Sequence, residues 1–301
     1  MKKLFITTAI MMGVTGAAHA GSLATIDQVG TGHSSSMQQV GNSSVVVKQR
    51  NQNQSAVGEQ FGNGNNLNIS QRGNGNIAGK TVLAASWLNS AQTGTYGANL
   101  VQQGNNNKHT IKQKGVNNNA ASNHSYQQGN NNDAKLEQMG KNNSVQQFRQ
   151  RGNGNTSTLK QTGNGNHLSF VFSIGNGNDQ NINQQGTKNG VGNLYNNGQF
   201  ASDLNALDNV PFLAGTDMAA LSASKSVQIG NGNKVDVDQT GSKNGFNIEQ
   251  GTYSAKSYSS KVKLNQKGST NFAYAAQSGA AHTANVSQMG SGNRSFTNQS
   301  N

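Results

Sequence analysis

The sequence predicts an all-β fold: a β-solenoid of stacked two-strand rungs with a cross-β core and about 23 residues per rung. Three observations lead there. A Gln-x-Gly triplet recurs in register along the chain. A period-two alternation follows each triplet. The composition sets 47 Asn, 30 Gln and 38 Gly against a single Pro and no Cys in 301 residues.

The triplet begins at 17 positions between Gln28 and Gln288, and in 13 of them Asn stands five residues after the Gln. His33 and His282 take that place in two others, where a polar turn role is expected of them. Half-steps of 11 and 12 alternate through the middle of the chain. Gln138, Gln161 and Gln184 are therefore 23 apart, and Gln127, Gln150, Ser173 and Asn196 interleave with them at the same step. The unit is two similar but unequal halves.

Each half reads as a turn and then a strand. In Gln60-Phe61-Gly62-Asn63-Gly64-Asn65 the Gly and Asn residues accept positive φ at little cost, which makes a turn. Asn65, Leu67, Ile69 and Gln71 then alternate with Asn66, Asn68 and Ser70, the strand period. Asn233, Val235, Val237 and Gln239 repeat the pattern with Lys234, Asp236 and Asp238 opposite. One half cannot bury its own inner face. Two halves facing each other make a rung, and stacked rungs pair every strand with the one above and below. The inward amides then hydrogen-bond along the stack, which removes the cost of burying them. The expected ladder comprises Gln60, Asn65, Gln71, Gln138, Asn143, Gln150, Asn155, Gln161, Asn166, Gln184, Asn189, Gln228, Asn233 and Gln239. Pro would delete a ladder bond, which accounts for its scarcity. Between Gln28 and Gln299 the chain has room for roughly ten to twelve rungs, a rod of about 50–60 Å.

The first twenty residues read as a secretory signal: Lys2 and Lys3, an apolar run from Leu4 to Val14, and the small-x-small site Ala18-His19-Ala20. The repeat region is then residues 21–301. No later segment is long and apolar enough to span a membrane. Degenerate or inserted segments are expected near 77–91, 199–227 and 251–262. A half-unit lacking its turn motif fits between Gln71 and Gln92, and Pro211 falls in the largest gap. At the two ends, strands carrying Ile26 and Gln28, and Asn293 and Gln299, have inward faces but no cap, no Pro and no charge block. Open edge strands are templates for another chain, so the sequence reads as one built to polymerise.

Other chemistry finds little footing. Glu59, Glu137 and Glu249 are the only Glu residues, and no carboxylate pair recurs at an acid/base spacing. None of the six His follows zinc spacing, and no cofactor is expected. The repeated Gly-Asn-Gly-Asn lacks the Asp that a calcium β-roll needs. The formal net charge of +12 leaves extracellular DNA or an anionic polysaccharide as candidate partners. Arg72, Lys114, Arg151 and Lys267 all flank the repeat Gln and would form a basic stripe if stacked on one edge.

The repeat resembles that of the curlin family, the subunits of curli fibres, read as Gln-x-Gly-x-x-Asn followed after five residues by another Gln. Gln60/Asn65/Gln71, Gln102/Asn107/Gln113, Gln150/Asn155/Gln161 and Gln228/Asn233/Gln239 match it directly. The resemblance covers about residues 22–299. It implies a secreted functional amyloid of bacteria with an outer membrane, exported unfolded through a dedicated outer-membrane pore. Such subunits polymerise at the cell surface for adhesion and biofilm matrix, beside a second curlin-type subunit. Asn-led strands in both halves and the basic charge are closer to the minor, nucleating type than to the major type. The length, the large gap and the lack of a regular Ala two residues after the Asn depart from both. The alternative reading is a monomeric extracellular β-solenoid that binds an anionic polymer or a surface ligand.

Overall fold

The computed structural model describes residues 23–78, 100–190, 224–252 and 255–300. Two parallel sheets face each other, and the chain alternates between them. The first is a ten-stranded sheet in stacking order β1 (Leu23–Thr31), β3 (Ser44–Gln52), β5 (Asn66–Asn74), β8 (Lys108–Val116), β10 (Asp133–Lys141), β12 (Thr156–Asn164), β14 (Asp179–Thr187), β16 (Lys234–Ser242), β19 (Lys261–Ser269) and β21 (Thr283–Ser291). The second holds the returning strands. These are β2 (Ser34–Val40), β4 (Ser55–Phe61), β6 (Ile77–Ala78) with β7 (Leu100–Gln103), β9 (Asn119–Gln128), β11 (Ser144–Arg151), β13 (His167–Ile174), β15 (Ser224–Asn231), β17 (Gly245–Gln250) with β18 (Ser257–Tyr258), β20 (Phe272–Ala280) and β22 (Arg294–Ser300). No helix occurs among the described residues. The fold is the β-solenoid that the repeat predicts.

Ten layers lie nine strand spacings apart, a stack of about 43 Å, at or below the lower end of the sequence-based expectation. The difference comes from where residues are spent. β5 pairs directly with β8, Gln71 opposite Gln113, and the half-unit expected before Gln92 falls largely outside the described residues. β6 and β7 continue one another: Ile77–Ala78 pair with Ser55–Ala56, and Leu100–Gln103 with Gly58–Phe61. Between these two stretches the neighbouring strand has only Val57. Ser173 pairs with Gln228 rather than Asn196, and in sequence residues 191–223 separate β14 from β15. Gln92, Asn196 and Pro211 fall outside the described residues. β17 and β18 are two parts of one strand position, separated by residues 251–256. All three excursions leave from the second sheet, and the first sheet runs unbroken.

The turns explain the triplet. Its Gly has positive φ, from +95° at Gly279 to +132° at Gly30, and a Cβ on Gly163 would fall 2.0 Å from the Gly186 carbonyl oxygen in the next rung. Only Gly lets the backbones approach this closely without strain. A second left-handed residue two positions on is most often Gly, Asn or Lys, as in Gly154, Asn131 and Lys188, and is Thr270 or Ala281 in two turns.

The core lies between the sheets. One column of the first sheet, from Val47 through Ile69, Ile111, Leu136, Leu159, Ile182 and Val237 to Leu264, is buried and aliphatic. Opposing residues from the second sheet vary in size to fit, from Gly58 beside Leu67 to Phe148 beside His109. His109 is 2% exposed, and burial pushes its imidazole down to a pKa of about 4. A water-sized cavity of about 10 Å³ lies beside it, lined also by Ser125, Ala134, Val145 and Phe148. His109 Nδ1 and Ser125 Oγ have no hydrogen-bond partner among the described residues.

The two outer faces differ. That of the first sheet is exposed and carries charged and polar side chains. On the second, outward-facing Val57, Val101, Phe172 and Tyr274 are buried, and so is the Lys225–Glu249 ion pair at 2.6 Å.

Candidate functional site

Two columns of Gln run through the interior, one at the end of each sheet's strands. Their position follows from the period: Gln is the last inward residue before the turn Gly. In the first sheet Gln28, Gln49, Gln71, Gln113, Gln138, Gln161, Gln184, Gln239, Gln266 and Gln288 form an unbroken ladder at 2.6–2.9 Å. In every step the Nε2 donates to the Oε1 of the following rung. The spare Nε2 hydrogen goes to a backbone carbonyl of the facing sheet, as from Gln161 to Ser144 at 3.0 Å. Each amide is thus satisfied although fully buried.

The second ladder runs the same way from Gln39 through Gln60, Gln102 and Gln127 to Gln150, and again from Gln228 through Gln250 and Gln277 to Gln299. Gln60 keeps this orientation because the reverse would set its nitrogen against Gln39 Nε2 and its oxygen against Gln102 Oε1. Ser173 interrupts the column. Gln150 Nε2 turns instead to Ser157 Oγ at 3.0 Å, and Ser173 Oγ donates to Gln228 Oε1 at 3.3 Å.

The Asn residues sit at the corners, where they add a second set of rung-to-rung bonds. Asn155 Nδ2 donates to the Gly175 carbonyl of the next rung at 2.8 Å, while its backbone N–H donates to Asn132 Oδ1 of the previous rung at 3.0 Å. Asn65, Asn143, Asn166 and Asn189 repeat the clamp on Gly104, Gly163, Gly186 and Gly241, and Asn233 clamps the Ser257 carbonyl. These side chains staple the turn backbones together and also bond one another along the stack, as from Asn155 Nδ2 to Asn132 Oδ1 and from Asn166 Nδ2 to Asn143 Oδ1, both at 3.1 Å. His33 and His282 bond the carbonyl four residues back through Nε2, at 3.1 and 2.7 Å, as the Asn amides do.

Sequence reasoning missed Gln49, Gln54 and Gln250. Gln49 is followed by Asn51 at φ +93°, and Gln54 takes the clamp position, bonding the Gly73 carbonyl at 2.7 Å. The signal was Gln-x-Asn-x-x-Gln, a variant of the motif. Gln250 lacks the triplet because the chain leaves the rung at Gly251.

At the two ends β1 with β2 and β21 with β22 have no outer strand partner among the described residues. Leu23, Ile26, Val29 and Val40 are exposed at one end, Met289 and Phe296 at the other. Gln28 Oε1 faces the open side of the first rung. The Asn293 amide, with its backbone N–H on Asn271 Oδ1, has no following rung to clamp.

Residues 259–299 match the family model described as Curlin associated repeat. The matched span covers β19 to β22, the last two rungs. Their curlin-repeat geometry (Gln266 on Gln288, Gln277 on Gln299, Asn271 on the Gly290 carbonyl) is the geometry of the earlier rungs as well. No curated protein matches the chain. Among the described residues no helix is long and apolar enough to cross a membrane, and no group of three His, Cys, Asp or Glu side chains is placed to hold a metal ion.

Proposed function

We propose that this chain is a secreted, self-assembling subunit of curli-like amyloid fibres at the cell surface, serving adhesion and biofilm matrix. The observation that carries this reading is the complementarity of the two end rungs. Continuing the register by one step sets β21 against β1 of a second copy and β22 against its β2. Val286 then meets Ile26, Met289 meets Val29, Gln288 Nε2 reaches Gln28 Oε1, and Gln299 Nε2 reaches Gln39 Oε1. Asn293 clamps the Gly30 carbonyl. The step that completes both ladders also covers inward Ile26 and sets Met289 against Val29 on the outer face. Export as an unfolded chain through an outer-membrane pore, assembly beside a second curlin-type subunit, and a nucleating role in that pair belong to the same proposal, on the curlin-repeat match and the Asn-led strands.

The junction has a direct test. Thr25 and Asn285 face outward at equivalent columns of the first and last rungs, and the chain has no Cys. Within one copy they stand nine strand spacings apart, about 43 Å, too far for a disulfide. A Thr25→Cys, Asn285→Cys double variant, oxidised after assembly, should give a covalent ladder of multimers. Thioflavin-T-positive material with a 4.7–4.8 Å reflection should accompany it. A chain that stays monomeric for days sinks the proposal. Removal of the lag phase of a second curlin-type subunit at substoichiometric dose would mark the nucleating role, and an unchanged lag would refute it.

A further inference from the structure

Charge is not spread evenly over the exposed face of the first sheet. β3, β5 and β8 place Lys48, Arg50, Arg72, Lys108, Lys112 and Lys114 on it, with no acid among their outward residues. Arg50, Arg72 and Lys114 stack directly over one another in three consecutive layers. The nearest carboxylates lie at the borders: Asp27 is 3.4 Å from Arg50, Asp133 is 3.9 Å from Lys108, and Glu137 is 3.7 Å from Lys112. Lys48, Arg72 and Lys114 have no acidic partner among the described residues. The lower layers mix both signs instead, with Asp179, Asp236 and Asp238 next to Lys234, Lys261 and Lys263. The stripe expected from sequence is thereby corrected. Arg151 lies on the other sheet, and Lys267 stands five layers from Lys114 in the same column.

We infer that this patch on β3, β5 and β8 is a binding site for an acidic polysaccharide lying across the strands, along the stack. Three features choose that class of polyanion. The cations form a straight row at the strand spacing, about 4.7–4.9 Å, an interval comparable to that of carboxylates along an extended polyuronate. The face is flat and presents no aromatic side chain, so it offers nothing for bases of single-stranded nucleic acid to stack on. A duplex carries one charge per about 1.7 Å of axis on a curved backbone, denser than this row can match. Two of the three stacked cations at the corner are Arg, which bind carboxylates bidentately. The site is independent of the end rungs and exists in a monomer or a stack alike.

The test uses the full chain with polygalacturonate as probe, at several salt concentrations. One variant carries Arg50→Gln, Arg72→Gln and Lys114→Gln. A second, of equal net charge, carries Lys160→Gln, Lys234→Gln and Lys263→Gln elsewhere on the same face. The first should weaken binding about tenfold at low salt and flatten its salt dependence, whereas the second should bind within about twofold of the parent. Equal losses in the two variants would show that net charge, not the patch, binds the polymer, and would overturn the site. Stronger binding of duplex or single-stranded DNA than of polygalacturonate, lost in the first variant only, would overturn the polysaccharide assignment. Normal fibre formation by both variants keeps this outcome separate from that of the assembly test.

Discussion

Gln180 and Ser173 face each other across the interior, and Gln180 Nε2 donates to Ser173 Oγ at 2.8 Å. Ser173 is the one described position where a Gln column lacks its Gln, and Gln180 stands where the columns above and below carry Ser157 and Val235. The long side chain reaches in from the opposite sheet, also bonding the Phe172 carbonyl at 2.7 Å. The two positions compensate each other. Ser173→Gln alone should overpack the site and cost about 1–3 kcal/mol. Gln180→Val alone removes a buried partner and should cost about 1 kcal/mol. The double variant should recover most of both losses, a coupling of about 1 kcal/mol or more in a denaturation double-mutant cycle. Simple additivity would mean the two sites are energetically independent.

The ladder itself predicts a sharp difference between faces. Gln161→Leu orphans the Gln184 oxygen and removes one bond from Gln138, at a cost of about 2–3 kcal/mol. Replacing Gln138, Gln161 or Gln184 by Pro also deletes a backbone bond and should block assembly. Lys135→Ser breaks only an exposed pair with Glu137 at 3.2 Å and should leave lag time and stability nearly unchanged. Equal lag times for the Gln161 and Lys135 variants would refute the assignment of faces.

Buried His109 gives the solenoid an acid sensitivity. Its folded pKa, about 4, lies below the ordinary value of 6.5. The unfolded chain therefore binds a proton first, and stability falls as pH drops from about 6.5 towards 4, by about 3 kcal/mol in all. Above that window both states are neutral and the residue adds no pH dependence. Half-buried His167, shifted down by burial too, contributes in the same direction. His109→Leu, which copies Leu67 in the layer above, should flatten the pH dependence of the denaturation midpoint between pH 4 and 6.5. An unchanged slope would exclude His109 as its source.

Much of this architecture is legible in the sequence because the same few residues must recur wherever the backbone repeats. Gly163 can only be Gly against the Gly186 carbonyl, and Gln161 is satisfied by Gln138 and Gln184 on either side. The excursions are harder to read. Ala78 and Leu100 belong to one strand, yet nothing local tells that the chain returns to the place it left; pairing with β4 alone does. The corner role of Asn is hidden for a similar reason. Asn65 sits in phase with Leu67 and Ile69, so the alternation shows its inward place in the stack but not that its Nδ2 bonds turn carbonyls 4 and 39 residues away. The buried outer face of the second sheet was not anticipated, because Phe172 and Tyr274 occupy outward positions that the period marks as solvent-facing.

The uniform sense of the Gln bonds has an electrical consequence. Backbone amides of a β-strand point alternately up and down the stack, so their dipoles largely cancel. The ladder amides do not alternate: from Gln28 to Gln266 one Nε2–H of each Gln points towards the C-terminal rung and each Oε1 towards the N-terminal one. Like the peptides of a helix, they add head to tail. The Gln ladder therefore has a polarity along the axis, while the corner Asn amides, whose Oδ1 accepts from the following rung, run in the opposite sense. Copies joined by the junction proposed above would continue both senses without reversing either, so the two tips of a filament would stay chemically distinct, one ending in open Gln oxygens and the other in open Gln N–H groups.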